Sequence, residues 1–148
     1  IPNTQNNYCM MKKIVLFLLL SAGLVTAQAQ TAAETLEWLK AKAAEVDNSY
    51  IYSTTVDGGN RKIEITSDHI KVYSDNGAST TGTWHTIKEI KPFADAYGIK
   101  IILEGTYEGN QRYIRFDIRP SSIRDRYIKA LKHMAVLKGA RLIDENLF

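Results

Sequence analysis

Apolar and polar residues alternate with a period of two through much of the chain between residues 50 and 119, and this pattern predicts β-strands. In the last run, Ile114, Phe116 and Ile118 are predicted to point inward, while Tyr113 and Arg115 point to solvent. Turn residues separate the runs, so each predicted strand is short. The six predicted strands are Tyr50–Val56, Arg61–Thr66, His69–Ser74, Thr80–Ile90, Gly98–Glu104 and Gln111–Arg119.

The connections between these strands are rich in glycine and asparagine, which tolerate positive φ. The sequence "DGGN" at Asp57–Asn60 predicts a hairpin turn, and "GTYEGN" at Gly105–Asn110 predicts a hairpin loop. Pro92 interrupts the chain just after the fourth run, which is therefore the least regular of the predicted strands.

Helical periodicity appears on both sides of the strand region. From about Ala32 to Val46, residues including Leu36 and Leu39 fall on one apolar stripe. The final helix is predicted to run from about Ser122 to Lys138, and Gly139 ends it. Its inward stripe is Ile123, Tyr127, Ala130, Leu131, Met134 and Leu137.

This order of elements, a helix, about six antiparallel strands and a second helix, predicts an α+β fold. A curved sheet or partial barrel with one buried face needs a cover, and the amphipathic C-terminal helix has the apolar stripe to provide it. We therefore expect Leu131 and Met134 to lie in the core, so that only the cations of this helix face outward.

The segment "MKKIVLFLLLSAGLVTAQAQ" has the three parts of a secretory signal peptide. Two lysines form its positive region, and residues 14–25 form an apolar stretch too short to span a bilayer. Ala27 and Ala29 frame a cleavage site before Gln30. The mature protein is therefore predicted to be exported, to the periplasm or the extracellular space.

Cleavage at this point divides the chain into three predicted parts. Translation is expected to start at Met10 or Met11. The parts are residues 1–10, upstream read-through; residues 11–29, the signal peptide; and residues 30–148, a single α+β domain of 119 residues.

The only cysteine, Cys9, precedes the predicted signal, so the mature chain has no thiol. Disulfides, thiol nucleophiles and cysteine-ligated metals are thereby excluded from its function. After the signal, no apolar run reaches membrane-spanning length, and no motif indicates a cofactor or a metal.

Charge is distributed unevenly along the predicted mature chain, which has 17 basic and 16 acidic residues. Gln30–Gln111 has a net charge of −4, whereas Arg112–Arg141 has a net charge of +7. Such a basic sector attracts anionic partners or pairs with the acidic remainder. Nucleic acid is not an expected partner, because the protein is predicted to be exported and aromatic residues do not interleave the cations.

The candidate binding residues lie in this basic sector. In the final helix, Arg126, Lys129 and Lys132 fall opposite the apolar stripe. They form either a solvated outer face or a docking surface for an envelope protein or an anionic surface. Arg112 and Arg115 extend the sector into the last strand.

Tyrosines form a second candidate patch. Tyr107 and Tyr113 flank the sequence "EGNQR", where they would suit an exposed contact with a glycan or a protein. Cross-strand packing of the two rings is the alternative explanation.

Catalytic chemistry has little support in the sequence. His69, His85 and His133 lack the local spacing of metal ligands, and no G-x-S-x-G motif is present. We therefore predict a non-enzymatic protein. The alternative is a small hydrolase or metal-dependent enzyme whose His and carboxylate residues meet only on folding. A cleft that brings His69 or His85 within hydrogen-bond reach of an acid would favour it.

The phrases "TIKEIKPF" and "GIKIILEG" are similar to the mid-barrel segment of bacterial pleckstrin-homology (PH) and GRAM-like proteins. The tail "RYIKALKHMAVLKGARLIDENLF" resembles the ends of small exported proteins of Bacteroidetes-type bacteria. The resemblance covers about Tyr50–Lys138 and implies strands closed by one C-terminal helix. Where phosphoinositide-binding members have a loop of clustered Lys and Arg residues, "DGGNRK" offers only Arg61 and Lys62. Together these features predict a binding or interaction module of the cell envelope.

Overall fold

The computed structural model describes residues 31–143. The predicted read-through segment and signal peptide lie outside these residues. From Glu34 onward, the described residues belong to one compact unit. Within the described part of the chain, no helix is long and apolar enough to cross a membrane.

Seven strands form two antiparallel sheets, and the α+β fold is confirmed. The first sheet has the order β1-β7-β6-β5, and the second has the order β2-β3-β4. A helix at residues 31–42, here α1, precedes the sheets, and α2 follows them. The strands and the final helix are β1 Tyr52–Ser53, β2 Arg61–Ile65, β3 His69–Ser74, β4 Ser79–Thr83, β5 Ile87–Phe93, β6 Gly98–Tyr107, β7 Asn110–Asp117 and α2 Ser121–Leu137.

The first predicted strand is much shorter than its β-favouring composition suggested. Ser53 and Val56 exchange backbone hydrogen bonds in a tight turn directly after β1, so the strand ends there. β1 pairs with β7, and β2 pairs with β3. The prediction that Asp57–Asn60 forms a hairpin turn is therefore wrong, because this segment connects one sheet to the other.

The predicted strand Thr80–Ile90 is two strands that belong to different sheets. A 3-10 turn at Trp84–Thr86 separates β4 from β5. It is held by the buried indole of Trp84, whose Nε1 donates to the carbonyl oxygen of Thr66 at 3.0 Å. Pro92 lies inside β5 rather than ending it, which is possible because β5 is an edge strand.

The hairpin between β6 and β7 is tighter than the predicted loop. Only Glu108 and Gly109 lie between the strands, and both have positive φ, at 49° and 77°. This is the backbone of a two-residue hairpin turn whose twist matches that of the strands. β6 therefore extends beyond its predicted end at Glu104, whereas β7 begins one residue earlier than predicted and ends at Asp117 rather than Arg119.

The C-terminal helix covers the inner face of the first sheet, as the sequence predicts. Leu131 and Met134 are buried, and α2 packs against β5, β6 and the Trp84–Thr86 turn. Tyr127 is buried with its ring edge against Phe116, and its hydroxyl donates to the carbonyl oxygen of Leu39 at 2.9 Å. The buried stripe differs from the prediction, since Ile128 and Ala135 are buried too, whereas Ile123, Ala130 and Leu137 are only half-buried.

Candidate functional site

The outer face of the first sheet, turned away from the core, carries side chains in rows that the strand register defines. In the middle row, Lys91 pairs with Lys100, Lys100 pairs with Arg115, and Arg115 pairs with Tyr52. Three like charges thus occupy neighbouring positions on β5, β6 and β7. Like charges directly opposite each other destabilise a sheet unless something offsets them.

A bulge in the β6–β7 hairpin produces this juxtaposition. Near the turn, Thr106 pairs with Gln111, but the register shifts between Thr106 and Ile102. Continued without the shift, the same register would place Lys100 opposite Asp117. The side-chain amide of Gln111 stabilises the bulge by donating to the carbonyl oxygens of Leu103 and Gly105, at 2.6 and 3.2 Å.

Lys91 forms a salt bridge with Glu89, at 2.9 Å, whereas aromatic rings surround Lys100 and Arg115. The guanidinium of Arg115 lies 4.2 Å from the ring centroid of Phe93 and 5.7 Å from that of Tyr52. The ammonium of Lys100 lies 5.2 Å from the Phe93 centroid and 4.9 Å from that of Tyr113. Such contacts contribute about 0.5–1 kcal/mol each at exposed sites. We call this surface the cation–aromatic face; its members are Tyr52, Phe93, Lys100, Tyr113 and Arg115.

The cations at the centre of this face form no salt bridge among the described residues, although the charge of Arg115 acts to lower the pKa of both Asp95 and Asp117. Among residues 31–143, no carboxylate lies within salt-bridge distance of Lys100 or Arg115. The Nε of Arg115 is buried and meets no hydrogen-bond acceptor within the described part of the chain. Both side chains are nevertheless half-buried. Ring faces therefore hold both cations in place, and the parts of these half-buried side chains that reach the surface can contact a ligand.

Two acids lie beside the face, and their pKa values are displaced in opposite directions. Backbone N–H donation from Tyr97 lowers the pKa of Asp95. Burial raises the pKa of Asp117, and the charge of Asp95 adds to that effect. The Asp117 side chain is buried, and its Oδ1 has no hydrogen-bond partner among the described residues. Burial therefore disfavours the charged form of Asp117, although the charges of Arg115 and Arg119 act in the opposite direction.

This effect of burial predicts that Asp117→Asn stabilises the protein at neutral pH. Because the folded-state pKa of Asp117 is raised, the wild-type protein loses stability as pH rises from about 3.8 through that folded value. The asparagine variant avoids this loss. We expect its unfolding free energy at pH 7 to exceed that of wild type, and the difference to shrink at pH 4. Urea unfolding at both pH values measures it. An equal difference at the two pH values, or a less stable variant at pH 7, would contradict this explanation, and Asp57→Asn in an exposed turn is the matched control.

A second cluster lies between the helices. Arg126, Lys129, Ala130 and His133 of α2 share one helix face and line a groove of about 500 Å³ with the indole of Trp38. Two α1 residues, Glu34 and Thr35, complete its wall. The Arg126 guanidinium lies 5.5 Å from the Trp38 ring centroid.

The third candidate surface is a concavity of about 720 Å³, which lies where the connection before β2 meets the turn after β3. Arg61 and Lys62 line it, but Asp75 does too. The Arg61 guanidinium donates to the carbonyl oxygens of Asp57 and Ser49 and stacks on Tyr52 at 4.2 Å. Backbone acceptors therefore engage both terminal nitrogens of Arg61, while its Nε is buried without a partner among the described residues. The carboxylate of Asp75 weakens this concavity as an anion site.

The structure places one histidine beside an acid. His69 Nε2 lies 3.1 Å from Glu64 Oε1, and its Nδ1 lies 3.2 Å from Thr66 Oγ1. The threonine hydroxyl also accepts from the backbone N–H groups of Asp68 and His69, so it braces the turn before β3. The pair lies on the second sheet and lines none of the three surfaces described above. Among residues 31–143, no group of three or more His, Cys, Asp or Glu residues is placed to hold a metal.

The predicted binding residues do not form one surface. Tyr113 and Arg115 lie on the cation–aromatic face, whereas Arg126 and Lys129 line the groove between the helices. The remaining three lie on neither surface. Lys132 is half-buried outside the groove, and Tyr107 is exposed beside the hairpin turn. Arg112 joins the two sheets by donating to the carbonyl oxygens of Glu104 and Thr81.

Sequence reasoning missed Lys100, Phe93 and Tyr52, which complete the cation–aromatic face. It also took aromatic residues not to interleave the cations, and on this face they do. The outward position of Lys100 followed from the alternation in β6. Its neighbours depend on the strand order and on the bulge, neither of which the residue pattern shows.

Two short sheets closed by one C-terminal helix define a PH-like fold, and comparison with solved structures shows the same. The PH domain from PfAPH is similar, with a TM-score of 0.53 and 9% identity, over 72% of this chain and 92% of that domain. The PH domain from TgAPH has the same TM-score and identity, over 78% of this chain and 99% of that domain. At this identity the likeness establishes the fold alone. No family model and no curated protein matches the sequence.

Proposed function

We propose that the protein is a non-enzymatic binding module of the cell envelope that recognises an acidic protein partner on its cation–aromatic face. The observation that carries this proposal is the pairing of Lys100 with Arg115 on neighbouring strands, both half-buried and without a carboxylate partner among the described residues.

The energetics of this pair favour an external anion. Two adjacent cations repel each other, and the buried Nε of Arg115, which has no acceptor among the described residues, forfeits a hydrogen bond that water would otherwise supply. A carboxylate from a partner would accept hydrogen bonds from both side chains at once. Charge-assisted bonds of this kind are roughly twice as strong as neutral ones. Binding of such a carboxylate would therefore reduce the repulsion between Lys100 and Arg115 that is present in the unbound protein.

The shape and composition of the face favour a protein partner. It is a sheet surface rather than a deep pocket, and it combines tyrosine and arginine, the residue types enriched at protein–protein hot spots. The Phe93 ring is already in contact with Lys100 and Arg115. The N–H groups of these two cations are therefore the groups that can form directional hydrogen bonds with a partner. A surface carrying Asp or Glu side chains matches these donors.

Export to the envelope is supported by the signal-peptide pattern of residues 11–29, and the tail sequence adds the resemblance to small exported proteins of Bacteroidetes-type bacteria. A periplasmic or extracellular location brings the face into contact with envelope proteins. It also separates the protein from cytoplasmic nucleic acid, the other polyanion that interleaved cations and aromatic rings would suit.

The double variant Lys100→Gln and Arg115→Gln tests the proposal. The matched control is Arg126→Gln with Lys129→Gln, which removes the same charge from the helix groove. We expect the face variant to lose about tenfold or more of the partner that wild type retains in a crosslinked envelope pull-down with mass spectrometry. The control variant should retain the same partner, and nuclease treatment should change nothing.

Salt dependence gives a second readout of the same experiment. Retention by the wild-type protein should fall as ionic strength rises, and the residual retention of the face variant should depend less on salt. If the face variant keeps the partner with an unchanged salt dependence, the proposal is wrong. Loss of the partner only in the groove variant would contradict it as well.

A further inference from the structure

The groove between α1 and α2 has the features of a second, separate site. Its floor is apolar, formed by the half-buried indole of Trp38 and the methyl group of Ala130. Its volume of about 500 Å³ lies within the range of small-molecule sites, roughly 300–1,000 Å³. None of its residues belongs to the cation–aromatic face, so its function is independent of the proposed one.

Cations dominate the polar part of the groove. Arg126, Lys129 and His133 stand three and four residues apart on one face of α2, opposite the single carboxylate of Glu34. Within residues 31–143, no carboxylate lies within salt-bridge distance of Arg126 or Lys129. The contact that holds the Arg126 guanidinium is the Trp38 ring, 5.5 Å away.

The aliphatic stems of the two basic side chains extend the apolar floor. Arginine and lysine side chains lie along apolar surface while their charged ends remain in water. The groove therefore has an apolar surface with two cations along one side. This combination is complementary to a molecule that has an apolar body and one anionic group.

We infer that the groove binds a small amphipathic anion, a medium-chain carboxylic acid in its simplest form. The apolar chain lies over Trp38 and Ala130, and the carboxylate is held by Arg126 and Lys129. Because the body of the molecule is recognised by apolar contact and the head by charge, an uncharged or cationic analogue of equal chain length binds more weakly.

Titration of the mature protein with dodecanoate tests this inference. Calorimetry should show binding to wild type that weakens at least tenfold in the Arg126→Gln, Lys129→Gln variant. The cation dodecyltrimethylammonium should bind at least tenfold more weakly than dodecanoate. The face variant Lys100→Gln, Arg115→Gln serves as the charge-matched control and should bind dodecanoate like wild type, whatever happens to its protein partner.

Tryptophan fluorescence localises the ligand. The chain has two tryptophans, and only Trp38 lies at the groove, since Trp84 is buried in the core. Dodecanoate should change the wild-type emission, and Trp38→Phe should abolish that change. No binding by wild type, equal binding by the groove variant, equal binding of the cation, or an emission change that survives Trp38→Phe would each overturn the inference.

Discussion

Replacing Leu131 with alanine should lower the free energy of unfolding by about 3 kcal/mol, because it opens a cavity beneath the helix that seals the sheet. Leu131 is fully buried, and its helix, α2, packs on β5, β6 and the Trp84–Thr86 turn. Leucine-to-alanine changes in such positions lose both the transfer energy of the methyl groups and the packing around them. Urea unfolding followed by circular dichroism measures the loss.

Val136 supplies the control on the same helix. Its side chain is 57% exposed, so Val136→Ala removes an apolar group that contributes little to the core. We expect a change within about 0.5 kcal/mol. If both variants lost similar amounts of stability, α2 would not be the cover of the sheet. The exposure of Val136 also shows that the outer side of α2 is not formed by cations alone, in contrast to the prediction from the sequence.

Gly98→Ala should be the second severe substitution, with a loss of about 3 kcal/mol. A Cβ atom built at Gly98 meets the backbone carbonyl oxygen of Phe93, which cannot move without disturbing the connection between β5 and β6. Gly98 also pairs with both Phe93 and Asp117, so the strain would reach the rim of the cation–aromatic face. Thermal unfolding of the variant measures the effect.

Gly58 is the matched glycine for this test. Nothing lies within 4 Å of a Cβ atom at that position, and its φ is not in the left-handed region. Gly58→Ala should therefore be neutral or slightly stabilising, because it reduces the freedom of the unfolded chain. Equal destabilisation by the two changes would refute the close-contact explanation.

The sequence was most informative where burial follows a simple period. Alternation placed Ile99, Ile101 and Leu103 inward on β6, and helical spacing placed Leu131 and Met134 in the core; all five are buried. Both patterns follow from the same rule: a helix or strand turns one apolar face toward the core, so its buried residues recur with the period of that element. They predict the class of fold because the faces must be buried against one another.

The sequence was least informative where tertiary pairing decides the outcome. "DGGN" has hairpin composition, yet the strands on its two sides pair with β7 and β3 instead of each other. Pro92 looked like an interruption, but an edge strand tolerates it. The conformational preferences of "DGGN" and of Pro92 are each compatible with more than one strand topology. Contacts between residues distant in sequence decide which topology forms.

The candidate site shows the same limit. Alternation correctly turned Tyr113 and Arg115 away from the core, yet only the bulge after Ile102 places Lys100 beside Arg115. Arg112 was grouped with Arg115 because both are cationic and close in sequence. They point to opposite sides of β7, and Arg112 links the two sheets.

The reactivity of the Lys100 amine tests the central claim most directly. Lys100 lies at the centre of the cation–aromatic face, and Lys62, on the second sheet, is the exposed reference. Acetylation of both amines can be timed by peptide mass spectrometry, with the protein alone and with its purified envelope partner. We expect the partner to slow acetylation of Lys100 at least tenfold and to leave acetylation of Lys62 unchanged. If Lys100 reacts equally fast in the complex, the partner does not bind on the cation–aromatic face.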